Sequence, residues 1–180
     1  AVAATAWDID AEFSVYPDAN PLTQYVRKLH NMLKADLSDI DDEVYVYSGS
    51  APNAFDLPNG KRYVSDGLLH MISTEEELLF VLQHEMIHSD RQHSKAISQV
   101  HTTRSSRKSY IESLAKKAGS MRYAEMEADI IALERLEELG INPMGGILLL
   151  EGLRELNVRD KGDISHGRET DRIINLRSTT

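Results

Sequence analysis

Cysteine is absent from the 180-residue sequence, and basic residues are fewer than acidic ones. Without cysteine the chain can form neither a disulfide nor a thiolate metal site, so histidine, aspartate and glutamate are left as zinc ligands. The 20 Lys and Arg against 29 Asp and Glu give a net charge of -9. This balance argues against general nucleic-acid binding, because phosphate contacts need a basic surface. The length suits a single domain over residues 1–180 with its own hydrophobic core.

Long apolar runs are missing too. The strongly apolar stretches, such as residues 147–150, are far shorter than the roughly 20 residues that a membrane-spanning helix needs. We therefore expect no transmembrane segment. The alanine-rich start, residues 1–6, is compatible with a removed export signal and equally with an arbitrary boundary. Residues 95–117 gather lysines and arginines and read either as a solvated helical excursion or as a patch for an acidic protein partner or a membrane surface.

The pattern His-Glu-x-x-His lies in an apolar stretch at residues 78–88. On a helix, residues four apart share a face, so His84 and His88 can bind one metal ion while Glu85 reaches a water on that ion. This is the layout of a zinc peptidase, in which three protein ligands hold the ion and water takes the fourth position. The sequence therefore predicts one zinc ion per chain and requires a third ligand.

The third ligand is predicted on a helix at residues 121–139. Glu125 repeats at helical spacing with apolar residues and faces inward, whereas Glu127 repeats with further glutamates and faces water. An inward carboxylate is costly unless a cation lies near it, which favours Glu125 as the ligand. Asp129, one turn on, can accept the remaining ring N–H of a ligating histidine, and His84 is the favoured donor.

A second interpretation of these carboxylates needs no metal. Glu125 and Asp129 would then bond to arginines such as Arg122 or Arg172, as buried helix carboxylates usually do. The upstream histidine motif favours the metal interpretation.

We expect an α+β fold that is mainly helical, with a small three-stranded, mostly antiparallel sheet. Periodicity predicts helices at 21–36, 67–72, 74–92 and 121–139, and β-branched and aromatic residues predict strands at 44–48, 53–57 and 61–65. Pro52 and Pro58 place the strand at 53–57 on an edge of the sheet. Thr74 and Glu77 have the spacing of a capping box. Another helix follows Pro143, and its glycines 145 and 146 favour close packing beneath the metal site.

These motifs resemble the HtpX-like and CAAX-prenyl-protease-like gluzincin metallopeptidases, especially their soluble exported branch of bacterial periplasmic proteases. The resemblance covers about residues 17–177. Besides the metal motif it is carried by Asn53-Ala54-Phe55, Leu57-Pro58-x-Gly60, Tyr63-Val64, Gly67-Leu68-Leu69 and Gly140-Ile141-Asn142-Pro143. It implies a zincin-type fold, zinc held by His84, His88 and Glu125, Glu85 as the base, Asp129 in support, and an exported or periplasmic location.

Near the end of the chain, Ile164-Ser165-His166-Gly167 and Asp171-Arg172-Ile173 are similar to the family's Thr-His-Pro loop and the arginine helix that follows it. Serine replaces threonine and glycine replaces proline in the loop. The resemblance implies one of two roles for His166: donation to the oxyanion during turnover, or occupation of the fourth zinc position in a resting form. It places Arg172 in support of the zinc ligands.

The expected function is that of a zinc-dependent endopeptidase acting on extended or misfolded protein substrates. Such substrates would add as a further strand along Asn53, Ala54 and Phe55, where main-chain bonds tolerate many sequences. An alternative from another class is a latent, zinc-stabilised, chaperone-like protein that binds clients without cleaving them. A third is a metal-free helical domain in which the motif arises by chance.

Overall fold

The computed structural model describes residues 13–34, 43–56, 60–91, 107–160 and 169–179. The chain forms two compact units, Ala1–Met71 and Ile72–Thr180. The first unit holds helix α1 (Pro21–Lys34), strands β1 (Glu43–Tyr47), β2 (Ala54–Asp56) and β3 (Lys61–Ser65), and helix α2 (Asp66–Met71). The second holds helices α3 (Glu75–Asp90), α4 (Arg107–Glu138), α5 (Met144–Asp160) and α6 (Glu169–Thr179). The predicted α+β, mainly helical fold is confirmed.

The sheet of the first unit has the strand order β1-β3-β2 and is mixed. β2 pairs antiparallel with β3, but β1 pairs parallel with β3. The expectation of a mostly antiparallel sheet was therefore wrong in this respect. It assumed that successive strands pair, whereas β3 lies between β1 and β2. The edge position of β2 among the described strands is confirmed, although the strand is shorter than predicted.

Each face of this sheet has its own packing. On one face, aromatic rings from all three strands form a row in which Tyr63 stacks between Tyr45, at 5.6 Å between ring centroids, and Phe55, at 5.3 Å. Helix α1 packs against β1 and buries Val26, Leu29 and Leu33. Its other large apolar side chains, at positions 22, 25 and 32, are exposed, so only half of its apolar periodicity reports burial.

A buried ionic group in the first unit has no counterpart in the sequence predictions. The fully buried Arg62 donates from Nε and Nη2 to the two carboxylate oxygens of Asp56, at 2.7 and 2.5 Å. Its Nη1 lies 2.8 Å from Nε2 of His30. His30 is thus buried in a polar network that ties α1 to β2 and β3.

Helix α3 is central to the second unit, since α4 and α5 both pack against it. Every residue from 77 to 87 is buried, as expected for a helix that is apolar on most of its sides. The predicted capping box is confirmed: Oγ1 of Thr74 accepts from the backbone N–H of Glu77 at 3.3 Å, and Oε1 of Glu77 accepts from the N–H of Thr74 at 3.1 Å. The start of the helix is therefore fixed.

Helix α4 begins at Arg107 rather than near residue 121 and is 32 residues long. It thus takes in residues 107–120, part of the stretch expected as a helical excursion, and joins them without a break to the helix that carries Glu125. Of the basic stretch at 95–117, residues 95–106 lie outside the described residues. Among the described helices, none combines the length and apolarity that crossing a bilayer would need.

Helix α4 ends in a tight turn at Gly140. Gly140 has a φ of 72°. The N–H of Ile141 donates to the carbonyl of Leu136 at 2.8 Å, and the N–H of Gly140 to that of Glu137 at 2.9 Å. This is the paired hydrogen bonding of a Schellman motif, in which a left-handed residue favours glycine.

Candidate metal centre

Three helices of the second unit supply the site. Helix α3 carries His84, Glu85 and His88, helix α4 carries Glu125 and Asp129, and helix α6 carries Arg172. His84 and His88 on α3 are four residues apart, as are Glu125 and Asp129 on α4, so each pair projects from one face of its helix. Because α3 and α4 pack together, the two faces meet in the interior.

The atoms of His84, His88 and Glu125 form a compact triangle. The two histidine Nε2 atoms lie 2.9 Å apart, His84 Nε2 lies 3.3 Å from Glu125 Oε2, and His88 Nε2 lies 3.3 Å from Glu125 Oε1. Tetrahedral zinc with bonds of about 2.0–2.1 Å places its ligand atoms about 3.3 Å apart. The three residues therefore fit a zinc ion by spacing and by chemistry, and they are the ones that could hold a metal within the part of the chain that the structure describes.

Asp129 supports the first histidine. Its Oδ1 lies 2.9 Å from Nδ1 of His84, which leaves His84 Nε2 directed toward the triangle. Burial alone would raise the pKa of Asp129, but the charge and hydrogen bonds of Arg172, together with His84, hold that pKa below its usual range. The carboxylate is therefore ionised and can fix the tautomer of His84.

Arg172 contacts both carboxylates of α4. It donates from Nε and Nη2 to Asp129, each at 2.6 Å, and its Nη1 lies 3.4 Å from Oε2 of Glu125. The two interpretations of these carboxylates are thus not exclusive, because Asp129 bonds to the arginine and lies against the histidine at once.

The electrostatics of the triangle favour a cation. Burial opposes protonation of His84, but the carboxylates of Asp129 and Glu125, 2.9 and 3.3 Å from its ring nitrogens, outweigh that effect and raise its pKa to about 9. In the metal-free state His84 is therefore protonated at neutral pH. A site that stabilises this positive charge is also suited to a metal ion, which would replace the proton.

Glu85 differs from the other carboxylates of the site. It is buried, with 6% of its surface exposed, yet among the described residues it makes no hydrogen bond or ion pair. It lies next to His84 on α3, one step round the helix. Its carboxylate is available to exchange a proton with a bound molecule.

The remaining predicted residues lie elsewhere. His166, as well as His93 and His101, falls outside the described residues. His70 is exposed, with Nδ1 2.6 Å from the carbonyl oxygen of Asp66. The predicted substrate strand, Asn53, Ala54 and Phe55, belongs to the first unit, where residues 54 and 55 form part of β2. Neither the ligand roles nor the substrate roles are tested by this arrangement, and they stay predictions.

One neighbour of the site was assigned no role from the sequence. Phe80 is fully buried one turn before His84, and the two ring centroids lie 6.2 Å apart with the planes inclined by 32°. The four-residue spacing of the two rings on one helix is the signal that predicts this contact.

Two histidines on one helix and a glutamate on a second define a metalloprotease site. The chain belongs to peptidase family M48, whose match spans residues 19–180. The predicted gluzincin resemblance is thereby confirmed at the level of this family.

Two proteins illustrate the similarity. The mitochondrial metalloendopeptidase OMA1 of Schizosaccharomyces pombe is 39% identical over 80 residues, which is 43% of this chain and 24% of that protein. The mitochondrial metalloendopeptidase OMA1 of Danio rerio is 38% identical over 55 residues, or 31% of this chain and 12% of that protein. The aligned part of the chain thus spans a quarter or less of either relative.

Proposed function

We propose that this chain is a zinc-dependent endopeptidase that hydrolyses peptide bonds in extended or misfolded protein substrates. The observation that carries the proposal is the triangle of His84, His88 and Glu125, whose edges of 2.9, 3.3 and 3.3 Å fit one zinc ion. Membership of a peptidase family supports protein substrates.

Zinc held by these three residues would polarise the scissile carbonyl and lower the pKa of the attacking water. Glu85 would accept a proton from that water while the water oxygen bonds to the carbonyl carbon. It would pass the proton to the leaving amine when the C–N bond breaks. Asp129 would hold His84 in the tautomer that presents Nε2 to the ion. Arg172 would keep Asp129 ionised throughout.

The substrate site is proposed at the edge of the sheet. β2 pairs on one side with β3 and is an edge strand among those described, so an extended substrate would add to its other side along Asn53, Ala54 and Phe55. His166 would either donate to the oxyanion or occupy the fourth zinc position at rest.

The finer assignments come from the sequence resemblance. The HtpX-like, exported branch and a periplasmic location are proposed on that basis. The two relatives carry mitochondrial names, which describe those proteins. Because the family match extends over both compact units, it supports their working as a single peptidase domain.

The decisive experiment compares Glu85→Gln with the parent chain on an unfolded protein substrate, with zinc content measured on both. The exposed Glu134→Gln is the matched control for loss of one carboxylate. We expect Glu85→Gln to retain one zinc and lose activity by a factor of at least about 100, the usual contribution of a general base. Glu134→Gln should cleave like the parent.

Cleavage by Glu85→Gln at the parent rate would reject the role of Glu85. If the parent binds one zinc but neither form cleaves, the latent client-binding alternative replaces the peptidase. A parent chain without zinc would leave only the chance-motif interpretation.

A further inference from the structure

Helix α5 meets helix α3 at two successive glycines. A Cβ on Gly145 would lie 2.6 Å from the backbone carbonyl carbon of Glu76, and a Cβ on Gly146 would lie 2.5 Å from Cδ2 and Cε2 of the Phe80 ring. Carbon atoms in proteins do not approach so closely without a shift of one partner. The predicted close packing at these glycines is therefore confirmed, and each glycine faces a different part of α3.

The two glycines differ in their distance from the metal centre. Glu76 lies two turns before His84, whereas Phe80 lies one turn before it on the same helix. The Phe80 ring is fully buried and is 6.2 Å from the His84 ring, within the usual range for interacting aromatic pairs. A side chain added at Gly146 would therefore contact Phe80, and Phe80 in turn contacts His84.

Space for Phe80 to move is small. The Phe80 side chain is fully buried, and protein interiors are close-packed. A methyl group on Gly146 would have to displace the ring or push α5 away from α3. Either movement changes the surface against which His84 packs.

The ring of His84 needs more than one restraint. Asp129 lies 2.9 Å from Nδ1, and the ring of His88 lies edge-on to the ring of His84 with the centroids 4.6 Å apart. The Phe80 ring is a third neighbour and limits the tilt of the imidazole plane. The position of His84 Nε2, 3.3 Å from Glu125, therefore depends in part on Phe80.

We propose that Gly146 is a positioning residue for the metal centre: the absence of a side chain there lets Phe80 occupy the place from which it orients the ring of His84. Gly146 contacts neither the ligand triangle nor Glu85. The inference rests on the proposed function only in that His84 is taken to bind zinc.

The test compares Gly146→Ala with Gly145→Ala, two identical substitutions at adjacent positions. Zinc affinity is measured by competition with a chromophoric chelator, and Tm is measured on the zinc-free proteins. Both variants should lower Tm, because both create a helix-helix clash. Only Gly146→Ala should weaken zinc binding, by roughly tenfold or more, as expected when the support of a ligating histidine is disturbed. Gly145→Ala should remain within about twofold of the parent.

A second comparison asks whether the effect passes through the ring. Phe80→Leu replaces the rigid ring with a smaller, more flexible side chain that lacks Cε2 and can turn away from a Cβ on Gly146. By itself it should weaken zinc binding, because His84 loses its aromatic neighbour. In the Phe80→Leu background, Gly146→Ala should then change the zinc affinity by less than about twofold. This non-additivity is what contact through a shared partner produces.

Several results would overturn the inference. Gly146→Ala with parent zinc affinity and a lowered Tm would make the glycine purely structural. If Gly146→Ala weakens zinc binding equally in the parent and in Phe80→Leu, the effect of Gly146 does not pass through Phe80. If Gly146→Ala does not fold, Phe80→Leu alone decides, since parent affinity in that variant would deny the ring any role. A parent that binds no zinc would instead reject the proposed function itself.

Discussion

Asp129 and Arg172 form a two-point salt bridge in the interior of the second unit. Nε and Nη2 of the arginine each donate at 2.6 Å, one to each carboxylate oxygen. Asp129 is fully buried, and Arg172 is 6% exposed. The same carboxylate lies 2.9 Å from His84, so the arginine supplies the counter-charge for the group that supports a predicted ligand.

Loss of this counter-charge should affect both stability and metal binding. Arg172→Met removes the two-point partner of a buried carboxylate and leaves it only His84, so it should cost up to about 3–5 kcal/mol of stability and weaken zinc affinity by roughly 10- to 100-fold. Arg172→Lys keeps the charge but not the planar two-point contact, so its stability and zinc affinity should lie between those of the parent and of Arg172→Met. Urea unfolding and chelator competition measure the two effects.

Arg177→Met, on the same helix, is the control for the Arg172 substitution. Arg177 is exposed and pairs at the surface with Glu151, so its loss should cost no more than about 1 kcal/mol and leave zinc affinity unchanged. Equal zinc affinities for the two variants would contradict the role given to Arg172.

Zinc affinity should depend on pH through His84. Its pKa of about 9 in the metal-free chain means that zinc must displace a proton at neutral pH. Lowering the pH favours the protonated site, so the apparent affinity should fall, by about tenfold per pH unit between pH 8 and 7 from this proton alone. Titration calorimetry of zinc binding in buffers of different ionisation enthalpy would measure the release of this proton. Binding without proton release at pH 7 would exclude a protonated His84.

The capping box should be a separate determinant of stability. Thr74→Ala removes the acceptor for the N–H of Glu77 and should cost about 1 kcal/mol of unfolding free energy. Ser73→Ala is the matched control, because Ser73 contributes its backbone N–H to Glu77, which alanine keeps. Urea denaturation of both variants, with zinc absent, measures the difference. Equal free energies of unfolding for Thr74→Ala and Ser73→Ala would mean that the capping box does not contribute to stability.

The core around α3 should be sensitive to truncation. Leu82 is fully buried, so Leu82→Ala should cost about 2–5 kcal/mol through lost burial and a residual cavity. Leu148, on α5, is 45% exposed, and Leu148→Ala should cost far less. Thermal and urea unfolding would measure the loss of stability in each of the two variants. A small effect at Leu82 would show that the helix repacks around the cavity.

Most of the second unit follows from local sequence rules. The four-residue spacing of His84 and His88 gives their shared face, the periodicity of the following helix turns Glu125 and Asp129 inward, and Thr74 with Glu77 fixes where α3 begins. Each of these features depends on residues a few positions apart.

The features that the sequence did not predict depend on distant partners. The parallel pairing of β1 with β3 is set by which strand lies in the middle of the sheet, and the burial of Arg62 against His30 and Asp56 joins three separate elements. The helical interpretation of residues 95–117 did not predict that residues 107–120 and the helix at 121–139 form one continuous helix. Hydrophobic patterning reports burial and spacing but not which elements become neighbours.

The separation of the ligands along the chain has a consequence for how this fold could be stabilised. His88 and Glu125 are far apart in sequence, so zinc bound as proposed closes the intervening segment into a loop and lowers the entropy of the unfolded chain, much as a disulfide would. In a chain without cysteine such a cross-link contains no bond that a reductant could break, and zinc chelators would open it instead.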